Sequence, residues 1–406
     1  MSTRRGRAVD LYSGFGGLAL GMEQAGFDIS VSIDDKPANT ATHERNFGYG
    51  STMTLDLSVD RTREIRQALH GYEVDMLAMG EGVDAVIGGP PCQGISSAGL
   101  RLADDPRNRL MVSFINQLAE LGARYGVMEQ VPTLLSPVNA RLMDELREIL
   151  LTRGYGLVTP RTLRAIDFGV PQRRERVFLM IHRNDQRAPK YPEATHSTVP
   201  ELLLHDTPTV SDAFDGLPDA DDYPELWDRH WVRTRGADPT SRYALQMRGL
   251  VNDETDLSYR RYWNPTLMTC SQLAKHTPLS VERFKSTRPG GSEPVSRRHR
   301  LDPTGTSLTL RAGSDAKHGS FTSVMPIHPK GTRIITVREA ARLHGIGDMI
   351  EMSPVKITAY RQIGNSVIPA MARAIGAEVM KAAGLSPSVP TETLDHRNRS
   401  DMKRAS

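Results

Sequence analysis

Apolar segments short enough for strands alternate with helical segments through the first 130 residues of this 406-residue chain. Such alternation predicts a parallel sheet with helices on both faces, because each parallel strand needs a crossover connection. The predicted strands are 8–11, 27–33, one ending at 56–57, 83–87 and 126–128, and the predicted helices are 18–25 and 38–46. Ligands of these sheets lie at the carboxyl ends of the strands, where we find Gly14, Asp34, Asp56, Cys92 and Glu129.

A glycine-rich turn, residues 10–17, joins the first predicted strand to the first helix. Its sequence is Asp-Leu-Tyr-Ser-Gly-Phe-Gly-Gly. Backbone amides at a helix N-terminus bind anionic and nucleotide-like groups, so the turn is a candidate cofactor site. Its spacing is not the GxGxxG of dinucleotide-binding proteins, and taken alone it is equally well explained as a plain tight turn.

Cys92 is one of only two cysteines and follows the fourth predicted strand, in the run Gly-Gly-Pro-Pro-Cys-Gln-Gly at 88–94. Two prolines before the thiol and a polar loop after it favour a nucleophile at the strand end. The alternative is a buried core cysteine, which is our interpretation of Cys270. Residues 94–110 are rich in Ser, Gly, Asp, Pro and Arg, and predict a mobile loop that closes over the site.

Six sequence blocks, among them the turn and the Pro-Pro-Cys run, occur in the order seen in cytosine C5 methyltransferases that use S-adenosylmethionine. Residues 127–132 resemble the family's Glu-Asn-Val block and 168–177 its Gln-x-Arg-x-Arg block, while 333–348 and 360–367 resemble the last two blocks. The chain therefore resembles the DNA (cytosine-5)-methyltransferase family. That resemblance implies an α/β fold with the Rossmann-like, doubly wound, mostly parallel sheet of class I methyltransferases, and a smaller, irregular target-recognition domain.

The resemblance implies covalent catalysis on cytosine, whose C5 is a poor nucleophile. Cys92 would add to C6, C5 would then attack the sulfonium methyl group, and loss of the C5 proton would expel the thiolate. Glu129 would hydrogen bond to N3 and the exocyclic amine of the base. Arg174 and Arg176 alternate on a predicted strand and would face one side, where they contact the cytosine O2 and a phosphate. Without the ordered blocks, Glu129 and both arginines would be interpreted as solvated or ion-paired side chains.

The resemblance also assigns residues to the methyl donor, S-adenosylmethionine, and to the nucleic acid. Glycines would let the backbone approach the methionine moiety, with Tyr12 and Phe15 as apolar walls, and Asp56 would accept a hydrogen bond from the adenine amine. The cofactor candidates are Tyr12, Gly14, Phe15, Gly16, Gly17, Asp34, Asp56, Leu57, Pro90, Asn365, Ser366 and Val367. The substrate candidates, in a loop that would close on a base flipped out of duplex DNA, are Gln93, Ser96 and Arg107.

Three departures from the family pattern bear on activity. Gln130 follows Glu129 where the family usually has Asn, and Ile33 stands where the ribose-binding acid is often found, so Asp34 would serve from the next position. Residues 345–348, Gly-Ile-Gly-Asp, lack the usual aromatic residue and proline. These departures are the support for a catalytically silent nucleic-acid-binding paralogue. A second alternative is the same chemistry on RNA, but a large and idiosyncratic central region favours sequence-specific duplex DNA.

The chain divides into a catalytic and cofactor-binding domain at 1–185, a target-recognition domain at 186–300, a part returning to the catalytic domain at 301–385, and a disordered tail at 386–406. The central region has poor helical and strand periodicity. Arginines with interleaved aromatic residues there suit phosphate and base-edge contacts, although most of them taken singly would be solvated. They are Arg233, Arg235, Arg242, Arg260, Arg261, Arg288, Arg297, Arg298 and Arg300, with Trp231, Tyr262 and Trp263.

Composition is consistent with a large α/β domain and a smaller one, because 38% hydrophobic residues supply a sizeable core. A net charge of +3 permits a polyanionic partner without requiring one. No apolar stretch approaches the roughly 20 residues of a membrane span, and two distant cysteines indicate neither a disulfide framework nor a metal site. We expect a monomeric, cytoplasmic, nucleoid-associated protein of a prokaryotic host that acts on double-stranded DNA, with a cognate restriction endonuclease as a candidate partner.

Overall fold

An eight-stranded sheet forms the centre of the fold in the computed structural model, which describes residues 3–72, 82–91, 109–235, 238–251, 253–313 and 325–394. The strands of the first half are β1 (Gly6–Leu11), β2 (Phe27–Asp34), β3 (Ser51–Thr54), β4 (Ala85–Gly88), β5 (Tyr125–Gln130), β6 (Tyr155–Leu157), β7 (Arg161–Arg164), β8 (Gln172–Arg173) and β9 (Glu175–Arg183). Their spatial order is β3-β2-β1-β4-β5-β9-β6, and β7 pairs with the opposite end of β9 from β6.

The first five strands are parallel, whereas β9 runs antiparallel to β5 and carries β6 and β7 in antiparallel pairs. The predicted mostly parallel α/β sheet is thus confirmed. The predicted third strand is displaced, because β3 ends at Thr54 and Asp56 lies in the turn that follows. Strand order reverses between the neighbours β1 and β4, and a doubly wound sheet forms its ligand crevice at such a reversal. The glycine turn follows β1 and the Pro-Pro run follows β4, so both predicted motifs lie at this crevice.

Helices cover both faces of the sheet. The α-helices of the described residues, not all of which lie on the sheet, are α1 (Gly17–Gln24), α2 (Pro37–Asn46), α3 (Thr62–Tyr72), α4 (Arg109–Glu120), α5 (Ala140–Thr152), α6 (Val210–Phe214), α7 (Arg242–Met247), α8 (Pro278–Ser286), α9 (Val337–Leu343), α10 (Lys356–Asn365) and α11 (Pro369–Ala383). Val127 and Phe178 pack in the cluster that contains α1 and α11, whereas Met128 and Leu179 pack with α4 and α5. This alternation follows from the two-residue period of a strand and buries the sheet on both sides.

The C-terminal helices return to the first half of the chain through close contact between α1 and α11. A Cβ atom on Gly21 would lie only 2.4 Å from the Cβ of Ala372 and 2.3 Å from the carbonyl oxygen of Pro369, so the close approach of the two helices needs glycine. Pro369 begins α11, and Ser366 and Val367 form the turn between α10 and α11.

The central region contains short elements only, as its poor periodicity predicted. Each of its strands has only two residues: β10 (His196–Ser197), β11 (His205–Asp206), β12 (Val232–Arg233), β13 (Arg260–Arg261) and β14 (Leu267–Met268). The later strand β15 (Ser307–Leu308) is equally short. One small buried cluster belongs to the region alone, around Leu226, Val232 and Met268. Tyr243 and Phe284, by contrast, join the core built by α9 to α11. We therefore describe the region as an insertion packed on the C-terminal part of the chain.

The predicted disordered tail is wrong for residues 386–394. A last strand, β16 (Thr393–Leu394), pairs in parallel with β13, and Leu394 is 6% exposed. Pro387 packs against Gly26 at the start of β2. Residues 395–406 lie outside the described part of the chain. No helix among the described residues is both long enough and apolar enough to cross a membrane.

Candidate active site

The glycine turn after β1 has the conformation that glycine alone adopts readily. Gly14 and Gly16 have φ of +57° and +106°, and a Cβ atom on Gly16 would lie 2.3 Å from the Phe47 ring. The carboxylate of Asp34, at the end of β2, accepts a hydrogen bond from the Gly14 amide at 2.9 Å. Its other oxygen accepts from the Lys36 amide at 2.9 Å. The structure therefore places Asp34 against the predicted cofactor turn, where it fixes the shape of that turn.

Asp10, the first residue of this glycine-rich segment and part of β1, has a fully buried carboxylate. Among the described residues neither of its oxygens accepts a hydrogen bond, and the nearby Ser13 hydroxyl is equally unpartnered. Burial, together with the charge of Asp34, raises the pKa of Asp10 well above its usual value. Buried polar atoms without partners are costly, so this arrangement fits a bound group that brings hydrogen-bond donors, as the ammonium group of a methionine moiety does.

The turn between α10 and α11 closes onto the N-terminus of α1. A Cβ atom on Gly17 would lie 1.8 Å from Ser366 Oγ and 2.6 Å from the Val367 carbonyl oxygen. Ser366 and Val367 are buried, and Asn365 is exposed. The fold thus brings together predicted cofactor residues from the two ends of the chain.

Two of the predicted cofactor walls have other contacts in the structure. Phe15 is 1% exposed and belongs to the core, so it supports the turn from behind. The Tyr12 hydroxyl donates to the carbonyl oxygens of Leu57 and Leu110 at 3.3 and 3.1 Å. Tyr12 therefore connects the glycine turn to the segment after β3 and to the start of α4.

The residues predicted to contact adenine and ribose lie at or just beyond the ends of β3 and β2. Asp56 is exposed, and its carboxylate accepts hydrogen bonds from the amide and the hydroxyl of Ser58, both at 2.8 Å. Those hydrogen bonds lower the pKa of Asp56. Ile33 is fully buried in the core, and of the two acids that follow it Asp34 is buried and Asp35 is exposed.

Glu129 and Arg176 form an ion pair where β5 and β9 meet at the same edge of the sheet. The Nε of Arg176 lies 2.6 Å from Oε1 of Glu129, and the two side chains are 14% and 11% exposed. Oε1 accepts no well-aligned hydrogen bond within the described ranges. A Cβ atom on Gly89 would lie 3.2 Å from Oε2, so the carboxylate faces the segment that follows β4. The guanidinium thus holds Oε1 in place, and Oε2 is the oxygen that faces the segment after β4.

Gln130 anchors the segment that leads to the predicted nucleophile. It is 1% exposed, and its side-chain amide donates to the Pro90 carbonyl oxygen at 2.8 Å. The longer amide thus connects β5 to the Pro-Pro run. Cys92 itself, with Gln93, Ser96 and Arg107, lies outside the described residues.

Arg174 is a buried residue whose guanidinium contacts backbone carbonyl oxygens. Its guanidinium is 1% exposed and donates to the carbonyl oxygens of Leu310, Gly364 and Ser366 at 3.1, 3.1 and 2.7 Å. Burial and the neighbouring Arg176 lower the pKa of Arg174, while Glu129 opposes the shift. Its Nη atoms thus contact backbone and its Nε has no partner among the described residues, so contact of Arg174 with the base stays a prediction, whereas Arg176 is the arginine that reaches Glu129.

Several central arginines also point inward. Arg261 pairs with Glu23 at 2.7 Å, with side chains 3% and 0% exposed. Arg298 donates to the Met325 carbonyl, and Arg300 donates to the carbonyls of Phe284, His328, Pro329 and Gly331. Of the arginines predicted for nucleic-acid contact, those that are exposed are Arg233, Arg235, Arg242, Arg260, Arg288 and Arg297. Within the described ranges, no group of three His, Cys, Asp or Glu residues could hold a metal ion.

Gln172 and His344 are buried polar residues at the site that sequence reasoning did not single out as functional. Both are 0% exposed, and the Gln172 amide lies 3.1 Å from His344 Nδ1. Gln172 stands two positions before Arg174 in a strand-like run, so the two-residue period of a strand would have indicated that it shares a face with Arg174. His344 carries no such signal, because its partners come from distant segments.

A model of the C-5 cytosine-specific DNA methylase family matches residues 6–381. The Type II methyltransferase M.XorII of Xanthomonas oryzae pv. oryzae is 42% identical over 391 residues, which cover 95% of this chain and 87% of that protein. The Type II methyltransferase M1.HphI of Haemophilus parahaemolyticus is 28% identical over 383 residues, covering 92% and 86%.

Solved structures share the architecture. A protein described as a prophage-encoded DNA modification methyltransferase of E. coli superposes with a TM-score of 0.72 at 27% identity, covering 93% of this chain and 99% of that one. The S. pombe Dnmt2 methyltransferase superposes with a TM-score of 0.52 at 17% identity, over 93% and 99% of the two chains, and shows likeness of fold alone.

Proposed function

The chain belongs to the family of C-5 cytosine-specific DNA methylases, which transfer a methyl group from S-adenosylmethionine to C5 of cytosine in DNA, and from this premise we propose how its residues divide the reaction. The observation that carries the proposal is the meeting of two sites at one sheet edge. The Glu129–Arg176 pair lies at the end of β5, and the Gly17–Ser366 contact closes the turn that follows β1.

On the donor side, the backbone of Gly14, Gly16 and Gly17 binds the methionine moiety, with Ser366 and Val367 closing the pocket. Asp10 supports this assignment, because its two unpartnered oxygens are acceptors for the ammonium group. Asp34 keeps the turn in its left-handed conformation through the Gly14 amide. S-adenosylmethionine supplies the methyl group as a sulfonium.

On the base side, Cys92 is the nucleophile and Glu129 the acid that activates the ring. The Cys92 sulfur bonds to C6, C5 takes the methyl group, and the C5 proton leaves as the C6–S bond breaks. Glu129 shares a proton with N3 as charge develops, and Arg176 keeps its carboxylate oriented. The bond from Gln130 to Pro90 supports this assignment, because it ties the segment before Cys92 to the strand that carries Glu129.

For substrate recognition, we assign sequence reading to the central region, 186–300, and closure over a flipped base to the segment with Gln93, Ser96 and Arg107. On β12 and just beyond it, Arg233 and Arg235 are exposed while Val232 and Thr234 are buried, which supports one outward, cationic face. The Type II relatives support a modification enzyme of a restriction-modification system. We extend the proposal to a monomer that acts at the bacterial nucleoid and is paired with a cognate endonuclease.

Bisulfite sequencing of DNA from bacteria that express the chain tests this proposal. We expect protected cytosines within one short sequence, and none with the Cys92→Ala variant. Genomic DNA without protected cytosines, with methyl transfer to cellular RNA instead, would favour the RNA alternative. An absence of both, from a folded protein that binds DNA, would favour the silent paralogue.

A further inference from the structure

Three buried side chains converge behind the turn between α10 and α11. Arg174 Nη2 donates to the Ser366 carbonyl oxygen at 2.7 Å and to that of Gly364 at 3.1 Å. The Nε2 of His344 lies 3.2 Å from the same Ser366 oxygen. The third side chain, Gln172, contacts His344. All three side chains are at most 1% exposed, so water does not compete for these contacts.

Gln172 determines which nitrogen of His344 carries the proton. Its amide nitrogen donates to Nδ1 of His344 at 3.1 Å and to the Leu343 carbonyl at 3.1 Å. Nδ1 is therefore the acceptor, and Nε2 bears the hydrogen that is donated to Ser366. Burial and the charge of Arg174 lower the pKa of His344 well below its usual value, so the imidazole is neutral in this position.

The Ser366 carbonyl oxygen thus accepts hydrogen bonds from Arg174 and His344. The Ser366 side chain, in contrast, faces the glycine turn of the proposed methyl-donor site. Ser366 Oγ would lie 1.8 Å from a Cβ atom on Gly17, so the turn packs directly against the start of α1 and leaves no space for a side chain at position 17. Gln172 also holds the neighbouring segment, because its Oε1 accepts from the Leu310 amide at 3.1 Å. The position of Ser366 relative to Gly17 is therefore set by Arg174 and His344.

We propose that Arg174 and His344 are positioning residues for the methyl donor, which fix the Ser366 carbonyl and thereby set donor affinity without contacting the cytosine. This inference rests on the proposed function, in which Gly17 and Ser366 flank the donor. It separates the two arginines of one strand-like run. Arg176 serves the base through Glu129, and Arg174 serves the donor through Ser366.

The test measures binding of S-adenosylhomocysteine to the full-length protein by calorimetry, without DNA. We expect His344→Leu to raise the Kd about tenfold or more, because the Ser366 carbonyl oxygen loses one of its hydrogen-bond donors. His344→Gln should restore most of the affinity, since an amide can accept from Gln172 and donate to Ser366. In turnover assays, His344→Leu should raise the KM for the donor while the KM for DNA stays unchanged.

A matched pair of arginines provides the control. Arg300 is also buried, 5% exposed, and donates to backbone carbonyls, but none of them belongs to the turn at 364–367. Arg174→Lys should raise the Kd for S-adenosylhomocysteine about tenfold. Arg300→Lys should leave that Kd unchanged while it lowers the Tm comparably.

The inference is overturned if His344→Leu and Arg174→Lys bind S-adenosylhomocysteine as the parent does, if Arg300→Lys weakens binding equally, or if the change appears in the KM for DNA. Failure of the proposed function has a different signature. In that case Gly17→Val, which places a side chain against Ser366, would bind S-adenosylhomocysteine as tightly as the parent.

Discussion

The carboxylate of Glu129 has the environment that its proposed chemistry needs. It lies at a strand end, where Oε1 is 2.6 Å from the Nε of Arg176 and Oε2 faces the segment after β4. A carboxylate held by one cation on one side can still hydrogen bond to a base on the other. The sequence placed this residue correctly at the sheet edge, and its pairing with Arg176 follows from the antiparallel register of β5 and β9.

Substitution of Glu129 should affect catalysis far more than binding. Glu129→Gln keeps the shape of the side chain but removes the acid, so we expect kcat to fall about 10²-fold or more in a tritiated methyl transfer assay. The Kd for S-adenosylhomocysteine should not change. Glu175→Gln, at an exposed neighbouring position, is the control and should retain full activity. Activity of Glu129→Gln within twofold of the parent would be incompatible with its assigned role.

Asp10 should make stability fall as pH rises. Its pKa is raised by burial, so the folded state holds this proton more tightly than the unfolded state, and the free energy of unfolding decreases once pH exceeds the ordinary aspartate range. Asp10→Asn removes this dependence. We expect the ligand-free variant to unfold at the parent's Tm near pH 4 and about 2 °C or more above it at pH 8. A Tm difference that is the same at both pH values would contradict the assignment.

At the scale of elements, signals confined to a few residues predicted the structure well. The glycine turn and the ends of β1, β2, β4 and β5 each depend on neighbours in sequence. The roles of Arg174 and His344 do not depend on neighbours in sequence. Arg174 bonds to carbonyls 136 to 192 residues further along the chain, and no local pattern shows which distant backbone a guanidinium will reach. Arginines in a polar, irregular segment look alike in sequence whether they are exposed or buried.

The C-terminal strand is a second element that composition concealed. Residues 386–406 are rich in proline, serine and charge, yet Leu394 is buried and the Tyr262 amide donates to its carbonyl oxygen at 3.0 Å. A two-residue strand has too little sequence to carry a period. Its partner, β13, lies far away in the chain.

Two truncations distinguish the ordered part of the tail from the remainder. Ending the chain after residue 394 should leave the Tm unchanged. Ending it after residue 385 removes β16 and the Pro387 contact with Gly26, and we expect the Tm to fall by several degrees, with faster hydrogen exchange at the Tyr262 amide. Equal Tm values for the two truncated proteins would show that β16 contributes nothing.

At the scale of the whole molecule, buried ion pairs fasten the central region to the catalytic half. Arg261 pairs with Glu23 of α1, lies 5.2 Å over the Phe47 ring, and donates to the Asn46 carbonyl. Tyr49 donates to the same Glu23 carboxylate at 2.7 Å. The network fixes how the insertion sits on the first half of the chain, and under the proposed division of roles it sets how the two regions face one DNA duplex.

Removal of one partner from this pair should be strongly destabilising. Arg261→Met leaves Glu23 charged and buried, which costs about 3–5 kcal/mol in the free energy of unfolding measured with denaturant. Arg147→Met removes the exposed pair with Asp144 and should change stability very little. If the two variants were equally stable, the Arg261 contact would not fasten the central region.

The most direct test of the account is trapping of the enzyme on DNA that contains 5-fluorocytosine, in the presence of S-adenosylmethionine. Fluorine at C5 cannot leave as a proton, so the Cys92–C6 bond should persist and yield a denaturant-resistant protein–DNA complex. We predict this complex for the parent chain and none for Cys92→Ala. A Cys92→Ala variant that still methylates cytosine, or a parent that methylates normal DNA yet forms no complex, would contradict covalent catalysis at this site.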